Sequence, residues 1–112
     1  MEPLKTASLP FIPPVLKNRH NPTVYSHLTL PELKLDWYIF SYDSQNRKFL
    51  GIKKNFFAQV DAFHMDELCH FRCAKEEATV RLNRHFEPVT LNDLERTKGF
   101  IVVNRETLLS YL

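Results

Sequence analysis

With 112 residues the chain is long enough to close one hydrophobic core and too short for two. Hydrophobic residues at 44% and charged residues at 25% match a self-folding globular domain, which excludes disorder as the state of most of the chain. A formal net charge of +2 excludes a strongly acidic mimic of DNA, and it announces a nucleic-acid binder only if basic residues gather locally.

The N-terminus lacks the charged, apolar and small-residue order of a signal peptide, and no stretch approaches the ~18 apolar residues that span a bilayer. A soluble, cytoplasmic protein without membrane contact is expected. Its two cysteines are then expected to be thiols.

Residues 1–22 hold five of the seven prolines, and each removes a backbone donor and fixes φ, so "LPFIPPVLKNRHNP" predicts an extended proline-rich arm. Phe11, Ile12, Val15 and Leu16 make that arm too apolar for a free tail. It lies across the domain and covers core, or it serves as a docking peptide for another protein. Residues 23–112 are read as one α+β domain.

In "LKLDWYIFSYDSQNRKFLGIKK" the β-branched and aromatic run Leu35–Tyr42, the turn formers Asp43, Ser44 and Asn46, and "KFLGIK" predict a β-hairpin. Alternation places Leu35, Trp37 and Ile39 on one face and Tyr38, Phe40 and Tyr42 on the other. Both faces are apolar, which predicts a central strand covered on each side. "FFAQVDAF", Phe56–Phe63, adds a third strand.

"HMDELCHFRCAK" follows. At about 100° per residue Met65, Leu68, Cys69, Phe71 and Cys73 fall on one arc, opposite Asp66, Glu67 and His70, which predicts an amphipathic helix capped by His64. "ATVRLNRHF", Ala78–Phe86, is a fourth strand ended by Pro88. "TLNDLER" starts a second helix with Thr90 as N-cap, closing near Gly99. "FIVV", Phe100–Val103, reads as a buried strand or extended segment, and "RETLLSYL" as a helical turn. The expected fold class is α+β: a small antiparallel sheet of about four strands, two short helices and the extended arm.

Chemistry is sparse along this chain. A C-x₃-C pair can donate two thiolates to zinc, but structural zinc takes four ligands, and no second pair accompanies Cys69 and Cys73. They are expected to be buried thiols, so no metal is predicted. With only Gly51 and Gly99, a glycine-rich phosphate loop is excluded in its usual forms, and no G-x-S-x-G elbow occurs. Asp66/Glu67 and Glu76/Glu77 are sequence neighbours that diverge on a helix, and nothing local activates Cys69 or Cys73 toward His85. No catalytic residue and no cofactor is predicted.

Basic residues gather at Arg47, Lys48, Lys53 and Lys54 around the hairpin, and again at Arg81 and Arg84 beside His85. With Phe49, Phe56 and Phe57 interleaved they are candidate binding residues, for direct nucleic acid or for a protein target. Lysines that keep strand edges from aggregating, and aromatics that fill core, are the plainer reading.

From Pro13 to about Lys98 the chain resembles an uncharacterised bacterial domain family found on plasmids, phages and other mobile elements. The similar stretches are "PPVLKNRHNPTVYSHLTLP", "LDWYIFSYD", the "FLG" of the second strand, the F-x-M-x-EL helix start and "HFEPVTLNDL". Phe86, Pro88 and Leu91 match the family's strand-to-helix junction. Where the family tends to carry a second glycine after its FG pair this chain has Lys54 and Asn55, and Arg81, Leu82 and Asn83 replace an acidic-Arg-acidic run. The resemblance implies a mobile-element context and carries over no catalytic residue. With no catalytic constellation and a small, aromatic-rich body, the expected function is non-enzymatic binding, and by analogy with mobile-element proteins an accessory protein that binds and inhibits a host defence protein, as an anti-CRISPR does; the alternative is a nucleic-acid-binding accessory protein.

Overall fold

The computed structural model describes residues 2–3, 11–69, 72–73, 76–77 and 80–111, with 2–3, 69, 72–73 and 76–77 described by backbone alone. Among them the strands are β1 (Glu2–Pro3), β2 (Thr23–Val24), β3 (Ser26–Leu30), β4 (Leu35–Asp43), β5 (Lys48–Lys54), β6 (Ala58–His64), β7 (Arg72–Cys73), β8 (Glu76–Glu77), β9 (Arg81–Leu82) and β10 (Val89–Thr90). The helices are α1 (Met65–Cys69) and α2 (Leu91–Lys98), with 3₁₀ turns at Pro31–Leu33 and Arg105–Ser110.

The sheet is antiparallel in the order β9-β3-β4-β5-β6, with β1 paired on the outer side of β9. β10 pairs with β2, and β7 with β8, as separate two-stranded ribbons. The α+β class therefore holds, and four strands is an undercount. Strands of two residues are too short to leave a period in the sequence. β3 was not predicted from the sequence, although "SHLTL" alternates and sends Leu28 and Leu30 inward.

As expected, β4 is covered on both faces. One face buries Leu28, Leu30, Leu35, Trp37, Ile39 and Phe49 together with Phe63, Met65 and Leu68. The opposite face buries Tyr38, Phe40, Leu50, Ile52 and Val60 beneath Leu91 and Leu94 of α2, Val102 and Leu108. The core is thus two clusters separated by the sheet. Phe86 and Leu91 belong with the second, away from Trp37.

Tyr42 departs from the expected alternation. The β4–β5 register slips between Ile39 and Ser41, so that Tyr42 pairs with Phe49 and Ser41 with Leu50. This bulge inserts one residue and moves Tyr42 to the Trp37 face, where its ring stacks on Phe49 at 4.4 Å between centroids. Gly51 lies opposite Ile39 beside the slip. A Cβ there would collide with the Tyr38 carbonyl oxygen and approach Ile39 Cα to 3.1 Å, so only glycine lets the strands meet.

Both predicted helix starts occur. His64 Nδ1 accepts the Asp66 amide at 3.1 Å, and Thr90 Oγ1 accepts that of Asp93 at 3.4 Å. Gly99, at φ 73°, closes α2 by donating its N–H to Glu95 O. The first helix is shorter than expected, however: it ends at Cys69, and Arg72–Cys73 runs extended against Glu76–Glu77. The Ala78–Phe86 strand shrinks to Arg81–Leu82, because Asn83 Oδ1 accepts the His85 amide and turns the chain. Residues 78–79 lie outside the described residues.

On the arm, Ile12 packs against the Trp37 cluster and Leu16 against the Tyr38 cluster. The buried Pro13 accepts the Tyr42 N–H at its carbonyl oxygen, 2.9 Å away. The far end of the chain is held by Arg105, which donates to Glu95 at 2.6 Å and to His20 O at 2.7 Å. Asn104 clamps Val60 by accepting its N–H and donating to its carbonyl.

Candidate interaction surface

The six basic residues singled out from the sequence do not share one site. Lys48 and Lys53 are five residues apart on extended β5, about 17 Å, so Arg47 and Lys48 sit at the turn and Lys53 and Lys54 at the opposite end. At the turn, Arg47 (φ 55°) pairs with Asp66 at 3.0 Å and Lys48 is exposed. Asp43 is held below the usual carboxylate range, chiefly by the hydrogen bond from the Asn46 side chain. Arg81 pairs with Glu32 at 2.8 Å, and Arg84 is exposed in the turn after β9. The basic charge is therefore dispersed and, at Arg47 and Arg81, partly neutralised.

The Lys53–Lys54 end carries a feature that composition alone does not show. After β5 the chain turns through Asn55, whose Oδ1 accepts the Phe56 N–H at 2.6 Å and whose own N–H donates to Phe57 O at 3.2 Å. Phe56 is left 99% exposed and Phe57 52%. Val102 forms a parallel bridge with Ala58, and Val103 N–H donates to Ala58 O, so the segment after α2 runs alongside this turn. Val102 points into the core, which leaves its neighbours Ile101 and Val103 outward at 79% and 60% exposed. Lys54 Nζ lies 5.7 Å above the Phe100 ring at the same end. Apolar side chains gathered in solvent beside two lysines are costly to keep in an isolated domain, and they suit a surface that another protein covers.

A second constellation was missed from the sequence because its members are nine and 56 positions apart. His27 Nε2 is 2.7 Å from Asp36 Oδ1, and His27 Nδ1 is 3.1 Å from Asn83 Nδ2. Asn83 Oδ1 is already committed to the His85 amide, so Nδ2 faces the ring; Nδ1 accepts and Nε2–H donates. Both ring nitrogens are engaged. The arrangement cross-links β3, β4 and the turn after β9 and offers no free nitrogen for proton abstraction or metal ligation.

Burial raises the Asp36 carboxyl, but the hydrogen bonds from His27 and the Thr29 hydroxyl, with the positive charge of Lys54, together hold it below its ordinary value. Tyr38, stacked on His27 at 4.6 Å, is pushed up to about 12 by burial and by the Asp36 charge.

Among the described residues no group of three or more His, Cys, Asp or Glu side chains is placed to hold a metal ion. The side chains of Cys69, His70 and Cys73, and with them the reading of buried thiols, lie outside the described residues. No described helix is long and apolar enough to cross a membrane. Compared with protein-family models, curated proteins and solved structures, the chain matches none.

Proposed function

We propose that the chain is a non-enzymatic accessory protein of a phage or other mobile element that binds and inhibits a host defence protein, in the manner of an anti-CRISPR. The observation that carries the binding part is the exposed group Phe56, Phe57, Ile101 and Val103. Aromatic anchors at the centre of an interface supply much of its binding energy once desolvated, and the adjacent Lys53 and Lys54 select a partner with acidic groups around an apolar centre. The inhibitory part rests on the resemblance to mobile-element domains.

Direct nucleic-acid binding draws less support, because the six basic residues are spread over three places and at least two of them, Arg47 and Arg81, are paired to carboxylates.

The test is capture of partners from a nuclease-treated lysate of a host carrying an active defence system, followed by assay of the captured protein's activity. The wild type is expected to retain a defence protein and reduce its activity. Phe56→Ser/Phe57→Ser is expected to lose it while melting at the same temperature. Retention of nucleic acid alone, in proportion to low salt, overturns the reading.

A further inference from the structure

We propose that a groove at the opposite edge of the sheet binds a small aromatic molecule bearing one hydrogen-bonding group; this does not rest on the protein-binding reading. The groove encloses about 440 Å³, within the range of small-ligand sites and suited to one or two rings. Its walls include Phe11, Tyr25, Leu82, Phe86 and Pro88, with Ser26 among them.

Two details give the groove chemical character. Ser26 occupies a position that alternates with the inward Leu28 and Leu30, is 2% exposed, and its hydroxyl has no hydrogen-bond partner. A buried hydroxyl left unpaired weakens the fold, and a ligand that bonds to it removes that penalty. Asn83 also lines the groove, but its amide is engaged by His27 and His85; Tyr25 and Arg84 line it as well, and Ser26 supplies the buried hydroxyl that has no partner.

The aromatic walls differ in freedom. Phe86 is held against the stacked His27 and Tyr38 rings, at 5.9 and 6.2 Å between centroids. Phe11 meets Tyr25 edge-on at 6.4 Å and stays 75% exposed, so a flat guest between Phe11 and Phe86 removes aromatic surface from water.

The experiment titrates the full chain with p-cresol and with toluene, which differ by one hydroxyl, and follows amide chemical shifts of Phe11, Tyr25 and Phe86. The wild type is expected to bind p-cresol about tenfold more tightly than toluene. Ser26→Ala should abolish that preference while still binding toluene, and Phe86→Ala should weaken both. No shift of these residues with either compound at millimolar concentration, or a preference that survives in Ser26→Ala, overturns the proposal.

Discussion

Replacing Gly51 by alanine tests the β-bulge on which the placement of the central aromatics depends. The added Cβ meets main-chain atoms: the Tyr38 carbonyl oxygen too closely to coexist, its carbon at 3.0 Å and Ile39 Cα at 3.1 Å. Backbone cannot rotate aside as a side chain can, so β4 and β5 must part locally and give up ladder hydrogen bonds worth ~1 kcal/mol each, besides the ~1–3 kcal/mol of overpacking. A loss of about 3–4 kcal/mol is expected, a large part of the ~5–15 kcal/mol that stabilises a domain. Urea unfolding followed by the fluorescence of Trp37, the single tryptophan and 1% exposed, reads this directly. Gly99→Ala is the control. Its site has nothing within 4 Å but carries φ +73°, so it should cost only the left-handed backbone penalty of about 1 kcal/mol. If Gly51→Ala unfolds within about 1 kcal/mol of the wild type, the register slip between Ile39 and Ser41 is misplaced.

Trp37→Ala should cost about 3–5 kcal/mol, measured by circular dichroism, because the indole is enclosed in the cluster that holds Phe49 and Phe63. Phe63→Leu and Leu94→Val lie on opposite faces of the sheet, so their effects in denaturant should add within ~0.5 kcal/mol; strong coupling would mean one shared core. Tyr38 is raised on folding, so its contribution is fully present below pH about 10 and lost as pH rises through about 12. An alkaline unfolding series should show that loss, about 3 kcal/mol across two units, and Tyr38→Phe should flatten it. Asp36 is depressed, so its contribution is present above the unfolded carboxyl value and disappears as pH falls through the lower folded one. Asp36→Asn should remove that acid dependence, and an unchanged acid limb would mean the His27 contact does not form in solution.

Local signals made much of the scaffold legible. Aromatics and turn formers announced the β4–β5 hairpin, and Thr90 and Gly99 marked both ends of α2, because caps act through neighbouring backbone groups. The phase of Tyr42 was hidden, since a bulge is settled by the partner strand and by Gly51 rather than by the run of side chains around it. The helix drawn through Cys73 followed hydrophobic spacing over a stretch whose Arg72–Cys73 backbone is in fact extended.

The site was less legible for a related reason. Phe56 and Phe57 look like strand residues by type, and only the turn at Asn55 turns them outward beside Ile101 and Val103, more than 40 positions away. That Lys53 and Lys54 stand far from Arg47 could have been counted along the strand itself. The contact of His27 with Asp36 and Asn83 needed the fold.

The central claim is inhibition of a host defence through the Phe56–Phe57 end, and plating of a phage on cells whose defence system targets it tests this most directly. Expressing the wild-type chain should restore plating, and Phe56→Ser/Phe57→Ser, present at the same level, should leave the cells protected. Failure of the wild type to restore plating, or equal restoration by the double variant, would contradict the account.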